Sequence, residues 1–351
     1  MTITQNRTLL VLPATDEIGG IQISGETALS CLSAADPKAV ELLYIGRLSG
    51  ETSTDRISVR SKAKSFARAV NAPSADVILV WHIGLLPSLK AMRSKNSLLV
   101  LFLHGIEAWK AHPPAVMRSL HRVDLIITNS DHTWRQFVTR NPEFIASRHE
   151  TVHLGLNSPA DLIADPPAEP MAVTIGRMFK SENYKGHAEL IAAWPGVLEN
   201  IPDAKLTLIG EGDLVPELQR HAKEIGLGEH IHFVGRVSEE RKRELIVSSR
   251  CMLLPSSGEG FGLAYVEALR LGRPSLVGVA DAGPEVVCPP EAGLAADPQD
   301  QDALIAAITE LMTLDPQWFK WSEQAKARYD SQFTASHFDT RLREALKQAA
   351  S

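Results

Sequence analysis

The fold of this chain is decided by the stretch Leu253-Leu254-Pro255-Ser256-Ser257-Gly258-Glu259-Gly260-Phe261-Gly262-Leu263-Ala264-Tyr265-Val266-Glu267-Ala268. An apolar run over residues 251–254 predicts a buried strand, and the pattern over residues 263–271 predicts a helix. The Pro, Ser and Gly residues between them predict a tight turn. A glycine-rich turn that opens a helix presents unpaired backbone N–H groups at the positive end of the helix dipole. The stretch therefore predicts an anion-binding site.

Two carboxylates, Glu259 and Glu267, belong to the same stretch and are separated by seven residues. If the helix begins near Gly262, Glu267 lies little more than one turn inside it, and both side chains can point toward one cleft. Carboxylates at such a place are expected to bind hydroxyl groups and not phosphate. The alternative is that Glu259 caps a helix and that Glu267 is a solvated helix residue.

Length and composition describe a soluble globular protein of two domains. The chain has 351 residues, of which 44% are hydrophobic and 22% charged. Its 3 cysteines are too scattered for a disulfide framework or a zinc site. The N-terminus shows only a strand-length apolar run, so we expect a cytoplasmic protein, with the inner face of the membrane as a second location.

The net charge of −6 argues against nucleic acid as a partner. The first half is the more basic one and contains a cluster of five cations: Arg56, Arg60, Lys62, Lys64 and Arg68. This cluster predicts either peripheral contact of the N-terminal domain with an anionic membrane or an ordinary solvated helix face.

Strands and helices alternate along the first half. An apolar strand at residues 9–12 leads through Gly19-Gly20 into a helix over 21–32, the opening unit of a doubly wound sheet. The further predicted strands are residues 40–44, 77–81, 98–103, 125–128 and about 151–154. This alternation predicts a parallel sheet with helices on both faces and ligands at the carboxyl ends of the strands. His82 and His104 follow two of these strands.

A proline-rich break at residues 165–170 separates the second half, which repeats the same alternation. Its predicted strands are residues 172–175, 206–209, 231–234, 251–254, 274–279 and about 293–298. Several of them end in glycine, which suits the approach of a nucleotide to the backbone. Arg177 and Lys185 flank the loop after the first of these strands and are placed to bind one diphosphate.

These motifs resemble retaining glycosyltransferases of family 4, which share the GT-B fold. The resemblance rests on the E-x7-E spacing of Glu259 and Glu267, on Gly176-Arg177 followed by Lys185-Gly186, and on His104-Gly105-Ile106-Glu107. It implies an α/β chain of two Rossmann-like, doubly wound parallel-sheet domains that face a central cleft. Their expected ranges are residues 1–165 for the acceptor and 171–330 for the nucleotide sugar, with a helix over 331–351 crossing back to the first domain.

The resemblance also implies a role for each matching residue. Lys185 would hold the diphosphate together with Arg177, with Lys180 as the competing lysine. Glu259 would bind the donor sugar, Glu267 the ribose, and His104 would lie near the reacting carbon. The remaining donor contacts implied are Gly20, Arg236, Val237, Gly260, Phe261, Gly262, Leu263 and Ala264.

The expected activity is transfer of a sugar from a UDP- or GDP-linked donor to a hydroxyl of a carbohydrate or lipid-linked acceptor, with retention of configuration. No metal is expected, because Asp300-Gln301-Asp302 opens a helix and does not end a strand. Two alternatives remain, another GT-B enzyme such as a phosphorylase or sugar-nucleotide epimerase, and a sugar-binding protein without catalysis.

Overall fold

The computed structural model describes residues 7–14, 19–46, 57–59, 75–89, 97–157 and 163–350. The strands are β1 (Thr8–Ala14), β2 (Val40–Gly46), β3 (Ile57–Val59), β4 (Val77–Val80), β5 (Leu98–Leu103), β6 (Leu125–Thr128), β7 (His149–Thr151), β8 (Met171–Ile175), β9 (Lys205–Ile209), β10 (Ile231–Gly235), β11 (Cys251–Leu254), β12 (Ser275–Gly278) and β13 (Gly293–Ala296). The helices are α1 (Gly20–Ala35), α2 (Pro114–Leu120), α3 (Asp131–Arg140), α4 (His187–Asn200), α5 (Val215–Glu224), α6 (Glu239–Val247), α7 (Leu263–Arg270), α8 (Gly283–Val287), α9 (Gln301–Met312), α10 (Pro316–Gln332) and α11 (Ala335–Ala350). Short 3-10 turns occupy Pro37–Ala39, Ile83–Leu89, Pro142–Phe144 and Lys180–Lys185.

The chain divides into two compact units. The first contains residues 1–157 together with 334–351, and the second contains residues 158–333. The first unit holds a parallel sheet in the order β3-β2-β1-β4-β5-β6-β7, and the second holds one in the order β10-β9-β8-β11-β12-β13. In each sheet the direction in which successive strands are added changes once. The change lies between β1 and β4 in the first sheet and between β8 and β11 in the second. This confirms the predicted fold class of doubly wound parallel sheets.

The core of the first unit is built from continuous apolar strands, as both faces of a parallel sheet are covered. All four residues of β4 and all four of β6 are buried. Two details differ from the prediction. The last strand is β7 and not residues 151–154, and the unpredicted β3 pairs with β2. The five cations of the predicted cluster, Arg56, Arg60, Lys62, Lys64 and Arg68, lie outside the described residues.

The last helix, α11, packs within the first unit. Leu156 and Thr334 form a parallel bridge, and the backbone N–H of Ala335 donates to the carbonyl of Leu156 at 3.0 Å. Gly155 makes this approach possible, because a Cβ there would lie 2.4 Å from the Thr334 carbonyl oxygen. The chain therefore returns to its first unit just before α11 begins.

The second unit has one continuous core, in which Trp194, Leu206 and Leu253 are fully buried. The proline-rich segment is bound to this unit by two arginines. The Arg273 guanidinium donates to the carbonyls of Ala164 and Asp165, while the Arg250 side chain donates to the carbonyl of Pro167 at 3.2 Å. The aromatic residues Trp318, Trp321 and Tyr329 of α10 are buried.

Candidate functional site

Two loops of the second unit meet where the strand order reverses. One follows β8 and covers residues 176–186, and the other follows β11 and covers residues 255–262. β8 and β11 are neighbours in the sheet, and the two loops leave its carboxyl edge. In doubly wound sheets this switch point is the place where ligands bind. The topology therefore brings together the Lys185 and Glu259 regions that the sequence singled out.

The two loops are in direct backbone contact. Gly186 adopts a φ of +78°, and a Cβ there would lie 2.6 Å from the carbonyl oxygen of Pro255. The backbone N–H of Ser257 donates to the Tyr184 carbonyl at 2.8 Å. A Cβ on Gly258 would lie 2.6 Å from the Tyr184 ring. Glycine is needed at both positions, because any side chain would force the loops apart.

Lys185 and Glu259 form an ion pair between these loops. Their side chains are only 11% and 14% exposed, and the Lys185 Nζ lies 5.3 Å from the centre of the Tyr184 ring. Burial acts to lower the pKa of Lys185, but Glu259, Tyr184 and Glu182 together outweigh it and hold that pKa above the ordinary value. Lys185 is therefore a fixed cation, and Glu259 a fixed carboxylate beside it.

The competing lysine lies elsewhere. The Lys180 backbone N–H donates to the Asp213 carboxylate at 2.8 Å, and its Nζ lies 3.5 Å from the carboxylate of Glu217. Its side chain is 63% exposed. Lys185, and not Lys180, is the lysine in contact with Glu259.

The other basic residues predicted for the donor are more exposed. Arg177 forms an ion pair with Glu182, and its side chain is 43% exposed. Arg236 follows β10 and lies 3.9 Å from the Glu211 carboxylate, with 53% of its side chain exposed. Val237 is half-buried next to it. Exposed side chains of this kind can reorient toward a ligand at small cost.

α7 opens as the sequence predicts. Its N-cap is Gly262, with a φ of +84°, and a Cβ there would lie 2.3 Å from the Tyr265 ring. Glycine has no side chain with which to cap the N–H groups of Leu263 and Ala264, and the first-turn donors of a helix have no partner inside it. These two groups, with the helix dipole behind them, lie where the sequence predicts that an anion binds.

Two further predicted donor contacts, Gly260 and Phe261, are buried. The Phe261 side chain is 2% exposed and packs edge-on against Phe333, with ring centres 5.9 Å apart. It is therefore a core side chain that anchors the loop, and only the backbone at this position is suited to a ligand.

Glu267 has a partner of its own. Its carboxylate lies 2.8 Å from the Nζ of Lys242 on α6, and both side chains are nearly buried. Lys242 also lies 2.8 Å from Glu239. Burial raises the pKa of Glu267, and the Lys242 ammonium opposes that shift. No motif predicts Lys242, because 25 residues separate it from Glu267 in the chain.

Two other residues of this region were not predicted. His187, at the start of α4, is buried, and its Nε2 has no hydrogen-bond partner within the described part of the chain. Burial lowers its pKa to about 4, with Lys185 adding to the effect. Asp281, after β12, accepts hydrogen bonds from the loop that carries Glu259. Its only sequence signal is a carboxylate at the end of a strand.

In the first unit, His104 follows β5 and is buried. Its Nε2 lies 2.9 Å from the carbonyl oxygen of Trp81, which can only accept a hydrogen bond. Nε2 therefore carries the proton, and Nδ1 is left as an acceptor. Burial lowers the pKa of His104 to about 3, and His82 adds to the effect. The imidazole is therefore neutral at physiological pH, and no imidazolium form is present to donate a proton.

The backbone of His104 is held on both sides. Its N–H donates to the Glu107 carboxylate at 2.6 Å, and its carbonyl accepts from the Asn129 amide at 2.7 Å. The Asn129 Oδ1 is buried without a partner among the described residues. Gly20, the other residue predicted in this unit, is exposed at the start of α1, where Gly19 is the N-cap.

Within the part of the chain that the structure describes, no group of three or more His, Cys, Asp or Glu side chains could hold a metal ion. Asp300 caps α9 by accepting from the Ala303 N–H at 3.0 Å, as its place in the sequence predicts. The helices among the described residues include none long and apolar enough to cross a membrane.

Comparison with known families decides the identity of the second half. The sequence profile of the family "Glycosyl transferases group 1" matches residues 164–328. These residues form a glycosyl transferases group 1 domain. The domain covers β8 to β13 and contains Arg177, Lys185, Glu259 and Glu267. The predicted relationship to a glycosyltransferase family is confirmed.

Two mannosyltransferases are similar to parts of this chain. The phosphatidyl-myo-inositol mannosyltransferase of Mycobacterium leprae is 32% identical over 185 residues, which are 52% of this chain and 48% of that protein. The GDP-mannose-dependent alpha-(1-6)-phosphatidylinositol monomannoside mannosyltransferase of Mycolicibacterium smegmatis is 27% identical over 270 residues, which are 69% of this chain and 68% of that protein. The chain thus spans about half the length of the first relative.

A solved structure shows the fold. The crystal structure of Anabaena HepE in complex with UDP and glucose matches with a TM-score of 0.77 at 16% identity, over 97% of this chain and 99% of that one. This likeness confirms the GT-B fold that the sequence predicts.

Proposed function

We propose that this protein is a retaining, metal-independent glycosyltransferase that moves a sugar from a nucleoside-diphosphate sugar to an acceptor hydroxyl. The observation that carries the proposal is the Lys185 and Glu259 pair, fixed beside the opening of α7 inside the group 1 domain. It joins a cation for phosphate, a carboxylate for hydroxyl groups and uncapped backbone donors at one sheet edge.

The chemistry follows from these groups. Lys185 and the N–H groups of Leu263 and Ala264 bind the diphosphate and stabilise the negative charge that grows on it as the sugar leaves. Glu259 accepts hydrogen bonds from the donor sugar, and Glu267 accepts them from the ribose. Arg177 turns from Glu182 to add a second cation. Fixed cations of this kind perform the charge stabilisation that a metal ion provides in other transferases.

Retention of configuration is consistent with the absence of a general base from this set of residues. The lysine stays protonated, and Glu259 is paired with it. We propose that a departing phosphate oxygen accepts the proton of the acceptor hydroxyl on the same face of the sugar. His104 does not take this proton. It supplies Nδ1 as a hydrogen-bond acceptor for a substrate hydroxyl.

The relatives indicate which substrates to test first. Both are named as mannosyltransferases that act on phosphatidylinositol compounds, and one name specifies GDP-mannose. We therefore propose GDP-mannose as the first candidate donor, with UDP-sugars as the alternative, and a carbohydrate or lipid-linked carbohydrate as the acceptor. Assembly of a glycolipid or polysaccharide at the cytoplasmic face of a membrane is the proposed setting.

The proposal is tested by incubating the purified protein with GDP-mannose, UDP-glucose, UDP-galactose or UDP-N-acetylglucosamine in EDTA. Phosphatidylinositol micelles and oligosaccharides serve as acceptors. We expect one donor to release nucleoside diphosphate, and proton NMR of the product to show the anomeric configuration of the donor. An inverted product refutes retention, activity that returns only with Mg²⁺ or Mn²⁺ refutes metal independence, and no turnover of any donor refutes the proposed activity.

The assigned role of His104 gives a prediction for the pH profile. His104→Phe should lower kcat/KM by about tenfold, the effect of losing one hydrogen bond of about 1.4 kcal/mol. The ratio of wild type to variant should be constant from pH 5.5 to 8.5, because burial keeps the imidazole neutral throughout. A ratio that rises steadily toward low pH would show instead that a protonated imidazole takes part.

A further inference from the structure

Asp281 is a nearly buried carboxylate that bridges two loops of the donor site. Its Oδ2 accepts from the backbone N–H of Glu259 at 3.0 Å, and its Oδ1 accepts from that of Gly283 at 2.8 Å. The Ser256 side chain also hydrogen-bonds to it. Asp281 is 5% exposed, so these contacts are shielded from water. The carboxylate thus connects the loop after β11 to the loop after β12.

The Glu259 peptide is held on both of its sides. Its N–H is bound by Asp281, and its carbonyl accepts from the backbone N–H of Ala282 at 3.1 Å. The loops are also in steric contact, because a Cβ on Gly278 would lie 1.7 Å from the carbonyl oxygen of Ser256. A residue held at both peptide groups has little freedom, and the direction of the Glu259 side chain is set by this frame.

The ionised form of Asp281 is costly to the fold. Burial raises its pKa from 3.8 to about 7, the Glu259 carboxylate adds to the rise, and the hydrogen bonds from Gly283, Glu259 and Ser256 oppose it. Because the folded pKa is above the unfolded value, the contribution of this group to stability is complete below pH 3.8 and is lost as the pH rises through 7. A carboxylate present only for stability would have the opposite shift. The arrangement points to a role in function.

We propose that Asp281 is a positioning residue, which fixes the backbone of Glu259 so that its side chain faces Lys185 and the donor sugar. It touches no substrate itself. The ionised carboxylate accepts these hydrogen bonds more strongly than the neutral acid, because charge-assisted hydrogen bonds are the stronger ones and a proton occupies one of the lone pairs. Protonation therefore weakens the hold of Asp281 on the Glu259 peptide. This role rests on the proposed sugar transfer, and it makes the rate of that transfer depend on the ionisation of Asp281.

Three titratable groups near this frame, Lys185, Tyr265 and His187, do not change charge near neutral pH. Glu259 is paired with Lys185, whose own pKa is raised. Burial raises the pKa of Tyr265 well above its ordinary value, and that of His187 is lowered to about 4. An ionisation near pH 7 that affects Glu259 is therefore assigned to Asp281.

The test is the pH dependence of kcat/KM for Asp281→Asn against the wild type, from pH 5.5 to 9. Wild-type activity should fall below about pH 7 as Asp281 gains its proton. At pH 8 the variant should be slower by about 10- to 100-fold, which corresponds to loss of one or two charged hydrogen bonds. Its kcat/KM profile should have no acid limb, which means no fall toward low pH. Asp300→Asn, which keeps a capping side chain on α9, should match the wild type throughout.

A second readout separates positioning from general damage. Because Glu259 binds the sugar and not the nucleotide, Asp281→Asn should weaken binding of the complete nucleotide sugar by about tenfold and leave binding of the nucleoside diphosphate unchanged. Equal loss of both ligands, or wild-type activity with the acid limb intact, would overturn the inference. Wild-type protein that turns over no donor would instead reject the proposed function, so the two failures are distinguishable.

Ser256→Ala provides a milder variant that preserves the carboxylate. It removes one hydrogen bond that favours the ionised form, so the pKa of Asp281 rises further. The acid limb should move to higher pH, with activity at pH 9 close to wild type. An unmoved limb would overturn the assignment to Asp281 even if Asp281→Asn could not be purified.

Discussion

Replacing Lys185 with methionine is expected to lower kcat for sugar transfer by about 100- to 1,000-fold, the usual cost of removing one preorganised charge-stabilising group. The ammonium is nearly buried and in contact with Glu259, so it is already in place when the diphosphate departs. Methionine fills a similar volume without the charge. Single-turnover kinetics with saturating donor would measure the loss directly. Lys180→Met is the matched control, because that side chain is exposed and contacts Glu217.

The same substitution affects stability, and this needs its own control. Removal of Lys185 leaves Glu259 buried without its partner, which costs about 3–5 kcal/mol in comparable pairs. The double variant Lys185→Met with Glu259→Gln removes both charges and should recover most of the melting temperature while remaining inactive. If Lys185→Met keeps turnover within about threefold of wild type, the proposed role of Lys185 in stabilising the diphosphate is wrong.

Replacing Glu267 with glutamine is expected to weaken nucleoside diphosphate binding by about 10- to 100-fold, as loss of charged hydrogen bonds of 1.5–3 kcal/mol requires. Glu267 is nearly buried next to Lys242, so no solvated carboxylate replaces it. Isothermal titration calorimetry provides the measurement. Glu239→Gln is the control, since its exposed side chain shares Lys242 without belonging to the predicted site.

Lys242→Met tests the same assignment through pH. Burial already raises the pKa of Glu267, and Lys242 opposes that rise. Without the ammonium the pKa of Glu267 rises further, so the variant should bind nucleotide well at pH 8.5 and progressively less as the pH falls. Binding by Lys242→Met that is independent of pH would show that Glu267 does not hold the nucleotide.

The sequence predicted those elements whose signals are local. β11 matches its predicted bounds, because an apolar run is closed on one side by Pro255 and a serine and glycine turn. α7 begins at Leu263 as predicted, since Gly262 takes a left-handed conformation that few other residues accept. Lys185 and Glu259 were both chosen from motifs, and the parallel topology brings them into contact although 74 residues separate them.

The sequence did not predict features that depend on tertiary contacts. Asp281 looks like any carboxylate after a strand, and only the folded chain shows that it binds the Glu259 peptide. Lys242 appears as one of many charges on a polar helix, and only the folded chain shows that it forms an ion pair with Glu267. The packing of the Phe261 side chain against Phe333 is a further contact that no motif predicts. Glycine-rich motifs locate a site, but the residues that hold the motif come from elsewhere in the chain.

The most direct test of the account is a calorimetric titration of GDP and UDP, in EDTA, into the wild type and into the double variant Lys185→Met with Glu259→Gln. The account predicts that one nucleotide binds the wild type without metal, and that this binding is weakened by about 100-fold or more in the variant, equivalent to at least 2.7 kcal/mol. Equal affinity in both proteins, or no binding to the wild type by either nucleotide, would contradict a donor site built on the Lys185 and Glu259 pair.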